Sequence, residues 1–451
     1  MRGEFPADGR ITNTLHFSGT AVASGVESIS NREAVRLSTR YNVYGNPQSS
    51  MHLVMMLSGW FLFLMISAAT TADLGAISDL LIVVGCAPIA LVVCFKRITI
   101  GSLSPVLVIL ALLAVTYLIS GAAGQYMEGV RQAGLIFIGA IVMIWFYHLH
   151  RTCQRTTMFL VLGLIALLLL FAAYIFRGEA VAKNVYGSAA LYLILFCAVA
   201  RAKYVGLRRY VVIWSFLSIC GVAYVVDQRQ LYGLAGLLVF VYMVTCSKGF
   251  RASRVVLLVT GVVAVNVMIF VALSGWAFGG ALESLSAMNQ SSGARTIYSG
   301  RELIWPMVAA LIGRQPLTGY GPTAVPGDFL DIELSAHNLF LQVGLQVGLV
   351  GSALIFLFFF GAYLQVARSA TYVSLPTRPQ AAIAFGVISV ALMHSCFEVV
   401  LFQNIVPVGM LSMAVLGGAL GHCDREWPGR LNPVRRRSVR LYWGVPEDGN
   451  P

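Results

Sequence analysis

Twelve apolar stretches recur along the chain, each close to the roughly 20 residues that cross about 30 Å of hydrocarbon. They fall at 52–71, 78–95, 103–120, 133–149, 157–176, 185–200, 209–225, 230–246, 254–274, 345–364, 381–400 and 404–421. The second begins near Asp79 and contains Pro88. Residues 1–50 are polar, with Ser, Thr, Asn and Gly scattered through them and no apolar core of the kind a cleavable signal needs. They read as a flexible cytoplasmic tail. From His422 the chain is polar again and carries the basic run Arg435, Arg436, Arg437. The pattern predicts an all-α integral membrane protein of about twelve spans. Spans one to nine lie within 51–274, a large outer loop covers 275–344, spans ten to twelve occupy 345–421, and a basic tail covers 422–451. That loop far exceeds the roughly 12–15 residues above which a connection is usually functional or disordered. No internal repeat and no second soluble domain are visible.

Composition agrees: 58% of the residues are hydrophobic, 11% are charged, and mean hydropathy is +0.79. A soluble domain carries about 25% charged residues, so an ordinary soluble enzyme, a coiled coil and a disordered chain are excluded. The net charge of +12 raises the question of a nucleic-acid partner. The placement of the charges answers it. With both termini cytoplasmic, 24 of the 31 Lys and Arg fall in the cytoplasmic tails and loops, and seven fall outside. The five short cytoplasmic loops hold 13 basic residues and no acid. This is the positive-inside pattern, and it accounts for the surplus without nucleic acid. None of the eight cysteines falls in an outer loop, so no disulfide is expected. No Cys/His cluster with metal-ligand spacing is present.

The candidate chemistry lies on the outer side. Ser299 and Glu302 have capping-box spacing and predict a helix from Ser299 to about Ile312, ended by Gly313 and Pro316. Trp305, Val308, Leu311 and Ile312 give it an apolar face, suited to the membrane surface. Arg301 then sits in the first turn, where free N–H groups and a guanidinium suit a phosphate. A solvated or headgroup-bound arginine is the equal alternative. Gly319-Tyr320-Gly321-Pro322 reads as a turn whose glycines allow positive φ or close approach of a ligand; most such turns only connect. In Ser335-Ala336-His337-Asn338, Ser335 is a suitable N-cap and His337 falls in the first turn, where a neutral imidazole can act as a base. An interfacial histidine bonded to a carbonyl is the plainer reading.

The other outer cations are Arg131, Arg177, Lys183, Arg229, Arg295 and Arg314. Arg229 lies in the very short segment Asp227-Gln228-Arg229-Gln230. It either pairs with Asp227 or meets an anion near the membrane plane. His394 and Glu398, spaced i, i+4, share a helix face in the outer half of span eleven. Ionisable groups at such depth face a cavity or each other, so they read as a structural pair or as a support to the site. Together these features fit an anionic, membrane-embedded substrate.

An ordered set of motifs resembles the O-antigen ligase/polymerase superfamily. The set comprises Ser299-Gly300-Arg301-Glu302-x-x-Trp305, then Pro316-Leu317-x-Gly319-Tyr320-Gly321. Ala336-His337-Asn338-x-Phe340-Leu341-Gln342 follows, then Gly344 and Gly348-Leu349-Val350-Gly351. Gln228-Arg229-Gln230 is similar to the family's Ser-Arg-Gly element, with Gln in place of both Ser and Gly. The resemblance spans mostly 227–351. It implies an inner-membrane glycosyltransferase of the GT-C type that takes a glycan from undecaprenyl diphosphate to a hydroxyl on the periplasmic side. Ligases pass O-antigen to lipid A–core, polymerases join repeat units, and a related branch glycosylates protein. The ligases are considered metal-independent, so no cofactor is expected.

By that resemblance Arg229 and Arg301 stabilise the departing diphosphate, and His337 takes the acceptor's proton or hydrogen-bonds the diphosphate. Arg314, Arg295, Lys183, Tyr320 and Asn338 are candidates for substrate contact, and His394 and Glu398 for support. The single large loop before the last three spans suits the ligase branch, with the polymerase next and a protein O-oligosaccharyltransferase third. A transporter is the alternative of a different class. Transporters often show internal repeats and charges paired deep in the membrane, whereas nearly all charge here lies in loops or at helix ends.

Overall fold

The structure is a computed structural model. It describes residues 47–71, 76–95, 98, 103–122, 124–152, 157–177, 183–202, 208–246, 301–329, 336–371, 378–399, 401 and 406–425. The chain divides into two compact units, Met1–Met56 and Leu57–Pro451. Only the start of a helix is described in the first. The polar N-terminal tail up to 46, the ninth apolar stretch 254–274, Arg295 and the basic C-terminal run lie outside the described residues, as do the outer-loop positions 275–300 and 330–335.

The described residues form twelve α-helices: α1 Pro47–Thr70, α2 Ala76–Phe95, α3 Ser104–Ala122, α4 Tyr126–Thr152, α5 Thr157–Arg177, α6 Lys183–Arg201, α7 Arg208–Val225, α8 Gln230–Cys246, α9 Arg301–Arg314, α10 Leu339–Thr371, α11 Arg378–Phe397 and α12 Val406–Arg425. Eleven of the twelve apolar stretches coincide with helices. Nine of these helices are long and apolar enough to cross a membrane, while α7 and α8 are shorter. Helix is the expected form, because every backbone N–H and C=O must find its partner within the segment once water is excluded.

Two boundaries differ from the hydropathy pattern. α4 begins at Tyr126 rather than near 133, taking Glu128 and Arg131 into its first two turns. Arg131 is held there by Asp79 (3.0 Å) and Glu128 (3.5 Å), so an arginine that looks like a free outer cation is part of a surface ion-pair network. α10 begins at Leu339, six residues before the apolar stretch, because Asn338 caps it: the Asn338 Oδ1 accepts from the amides of Phe340 (2.9 Å) and Leu341 (3.1 Å).

The centre is built from α4, α6, α11 and α12. The membrane-length window of α12 is wholly buried. Its contact with α4 depends on small residues, as helix association in lipid requires. A Cβ on Gly417 would fall 2.2 Å from the Met143 carbonyl oxygen, and one on Gly421 would fall 2.1 Å from that of Tyr147. α10 packs on α3 and α11, and α8 packs on α11 and α7. α2, α3 and α5 keep broad apolar faces outward, as lipid-facing helices do, with Leu80, Leu112 and Leu168 among the exposed residues.

α10 is not continuous. Val347 (φ −128°, ψ 16°) and Gly348 (φ 77°) break the helix. The break frees backbone groups that must be paired, and the segment after α9 supplies the partners. The amides of Tyr320 and Gly321 donate to the carbonyls of Leu345 (2.8 Å) and Gln346 (3.0 Å), and the Leu349 amide donates to the Pro316 carbonyl (2.7 Å). Gly319 (φ 63°) lies so close to this backbone that a Cβ there would be 2.4 Å from the Gln346 carbonyl carbon. Ser120 of α3 adds a hydroxyl donor to the Gln346 carbonyl (3.0 Å). The Gln346 side chain accepts from the Tyr117 hydroxyl (2.8 Å), and Gln342 donates to the Ala324 carbonyl (2.8 Å). The two glycine motifs are therefore one docking junction.

Candidate active site

The apolar face expected on α9 is present, but it packs on protein. Ile304, Val308, Leu311 and Ile312 are buried with Ala324 and with Leu345 of α10. Trp305 turns its indole N–H to the Ala336 carbonyl (2.8 Å), which fixes the first half of α9 beside the chain leading into α10. Arg301 is the first residue of α9; its side chain, like those of Glu302 and Leu303, lies outside the described residues. Arg314 closes the helix at its other end and is exposed. At 1.5 Å per residue the two arginines are about 20 Å apart along the axis.

His337 precedes the cap of α10 rather than standing in its first turn. Its φ of +46° is the left-handed conformation that costs a non-glycine residue energy and recurs where structure serves function. Its chain neighbours are fixed by the Asn338 cap and the Trp305–Ala336 bond, and its own Nδ1 meets Glu398 Oε2 at 3.2 Å. A carboxylate accepts, so Nδ1 donates to Glu398; in the neutral form of the ring the other nitrogen is an acceptor. Glu398 is buried, whereas the His337 side chain retains 30% of its exposure, enough for a substrate to reach it.

Glu398 follows α11 directly. Its Oε1 accepts from Gln230 Nε2 (3.2 Å), tying it to the first residue of α8. The Gln230 side chain thus neighbours Arg229 in sequence and His337 in space. The local fold explains the exposure of Arg229. Asp227 (φ 51°) ends α7 in the left-handed conformation that Asp tolerates, and the Gln228 amide donates back to the Ala223 carbonyl (3.1 Å). The Leu231 amide donates to the Gln228 carbonyl (3.2 Å), so α8 starts at once and the Arg229 side chain projects outward. Gln228 turns inward onto Gly187 of α6. Among the described residues no carboxylate pairs with Arg229, Asp227 included.

His394 is fully buried. Its Nε2 lies 3.1 Å from the Ser188 hydroxyl and its Nδ1 3.2 Å from the Tyr192 hydroxyl, both on α6. It anchors the end of α11 that carries Glu398. Lys183, the first residue of α6, is exposed one turn before Gly187. Tyr320 donates its hydroxyl to the Leu311 carbonyl (3.2 Å) and packs on Phe329 with ring centroids 4.6 Å apart.

The fold thus brings together His337, Glu398, Gln230 and Arg229 at one end of the bundle. Lys183 begins α6 one turn before Gly187, on which Gln228 packs, and His394 is buried against the same helix. Arg314 lies apart, and the side-chain groups so far described on Tyr320 and Asn338 are engaged in the scaffold. No motif in the sequence singles out Ser188 and Tyr192, and Gln230 enters only as a departure from the family's Ser-Arg-Gly element. Polar side chains at helix starts and within apolar spans are the signal that points to them. Among the described residues no group of three His, Cys, Asp or Glu side chains is placed to hold a metal ion.

The fold and this end of it define a multi-pass membrane protein with a histidine–carboxylate pair and an exposed arginine beside it. Residues 216–358, about a third of the chain, match the family model described as O-antigen ligase, Wzy_C. Over that segment the chain is similar to membrane enzymes of the O-antigen ligase/polymerase type, which transfer glycans from lipid-linked substrates. Arg229, Arg301 and His337 fall inside the match; Lys183, His394 and Glu398 fall outside it, and the fold supplies them. No curated protein matches the chain.

Proposed function

We propose that the protein is an O-antigen ligase of the bacterial inner membrane. It transfers O-antigen from undecaprenyl diphosphate to a hydroxyl of lipid A–core on the periplasmic side, with both termini cytoplasmic. The observation that carries this reading is the His337–Glu398 contact (3.2 Å), with Glu398 also bonded to Gln230, the sequence neighbour of Arg229.

In the proposed step, the acceptor oxygen attacks the anomeric carbon while its proton passes to His337. The bond from that carbon to the diphosphate oxygen breaks, and its electron pair leaves with the diphosphate. A single displacement of this kind inverts the anomeric carbon. Glu398 keeps the ring oriented and stabilises the imidazolium that forms, as the carboxylate of a hydrolase triad does. Arg229 and Arg301, with the N-terminus of α9, meet the developing negative charge. No metal is required for this. Lys183 and Arg295 are secondary partners of the diphosphate. Arg314, about 20 Å from Arg301 along α9, is too far for the same diphosphate and contacts the glycan instead. Tyr320 and Asn338 border the glycan path, and His394 positions Glu398 by holding α11 to α6.

The test uses purified protein with an undecaprenyl diphosphate-linked glycan and lipid A–core. The expected product carries an inverted linkage and forms equally well in EDTA. Loss of transfer in EDTA with rescue by Mg²⁺ or Mn²⁺ overturns the metal-free step. Transfer only onto a second lipid-linked repeat unit assigns the chain to the polymerases.

A further inference from the structure

A cleft remote from His337 is left unused by the proposed reaction. α5 and α7 both flank α6. At one end they meet, where the Tyr174 hydroxyl donates to the Val225 carbonyl (3.4 Å). Tyr174 also packs edge-on against Tyr186, next to Gly187 and Gln228, so this is the His337 end of the bundle. Toward the other end α5 and α7 part and leave a cleft of about 280 Å³. Leu160 and Leu164 of α5 and Val211 of α7 wall it, Arg201 closes it at the last residue of α6, and Tyr210 and Trp214 form an exposed rim. Arg201 is about 20 Å along α6 from Ser188, so most of a bilayer's hydrocarbon thickness separates the cleft from the candidate active site. Val161, Ile165 and Ile213 around it are exposed, so it opens sideways into hydrocarbon.

We propose that this cleft binds an anionic phospholipid, with an acyl chain between α5 and α7 and the phosphate on Arg201. The lining divides as such a lipid does. Its walls are apolar, and among the described residues lining it Arg201 is the one that carries a formal charge, so charge complementarity selects an anionic headgroup. Tyr210 and Trp214 set the depth, because amphipathic aromatic rings sit at headgroup level. The first turn of α7 starts at the same rim, and a helix N-terminus favours a phosphate. Basic pockets between membrane helices recognise headgroups of this kind. The proposal does not depend on the transfer reaction.

Native mass spectrometry of the full-length protein tests it, with phosphatidylglycerol and phosphatidylcholine of identical acyl chains offered in competition. Wild-type protein should retain phosphatidylglycerol in preference, and inorganic phosphate should not displace it. Arg201→Gln should weaken phosphatidylglycerol retention about fivefold, the value of one basic residue near a charged headgroup, and Arg201→Lys should restore it. Leu164→Trp, which fills the apolar wall, should weaken retention of both lipids. Equal retention of the two lipids by the wild type overturns the proposal without recourse to any variant. So does phosphatidylglycerol retention unchanged in both Arg201→Gln and Leu164→Trp.

Discussion

α10 carries two polar junctions about ten residues apart, and they use their hydrogen bonds to different ends. At the break around Gly348, the Leu345 and Gln346 carbonyls accept from the Gly319–Gly321 turn, and Tyr117, Ser120, Gln342 and Gln346 complete the network. At the start of the same helix, His337 holds a left-handed backbone, remains half-buried and places one ring nitrogen on a buried carboxylate from another helix. The first junction pairs backbone with backbone, and the second is the one proposed above to serve proton transfer. Both look like motifs in the sequence. The comparison teaches that glycine motifs beside a histidine motif need not share its role: they fix α9 and α10 against each other so that His337 is held in place.

Substitutions at the two junctions should therefore separate activity from stability. His337→Ala should lower the transfer rate by about 10²–10⁴, the range of a general base, with the melting temperature of the purified protein nearly unchanged. A large fall in melting temperature instead would move His337 to the scaffold side. Glu398→Gln should cost about 10- to 100-fold in kcat, as expected for losing a charge-assisted hydrogen bond to the catalytic ring, with KM little altered. A change confined to KM would mean that Glu398 contacts substrate directly. Gly319→Ala should do the reverse of His337→Ala. Its positive φ and the close Gln346 backbone predict about 1–3 kcal/mol of destabilisation, read by thermal unfolding, with transfer per folded molecule preserved. The smallest effect is expected at Arg314→Ala: a rise in KM of up to about fivefold, within the range of an exposed ionic contact, and an unchanged kcat.

The sequence made some of this legible and concealed the rest for physical reasons. Hydropathy marks the spans because lipid demands long apolar helices, and eleven of twelve stretches are helices among the described residues. It misjudges the starts of α4 and α10, because Glu128, Arg131 and the Asn338 cap are polar residues that belong to helices. His337 and Arg229 stood out by type and place. Their link could not be read: Glu398 is 61 residues from His337 and 168 from Gln230, and only the packing of α8 and α10 on α11 joins them. The i, i+4 spacing of His394 and Glu398 puts them on one helix face, and their side chains also reach Ser188 and Tyr192, and His337 and Gln230, which that spacing does not reveal. The Gly319–Gly321 turn read as a connector because its partner, the break at Gly348, is invisible as a break in an apolar run.

The central claim is that His337 serves glycan transfer onto lipid A–core. It is tested most directly by complementing a ligase-null strain with the wild type and with His337→Ala, matched for folded protein in the membrane, and reading lipopolysaccharide on a gel. The expected result is O-antigen ladders on lipid A–core with the wild type and bare core with the variant. Ladders of equal intensity from His337→Ala, or ladders from the wild type only in a polymerase-null strain, would contradict it.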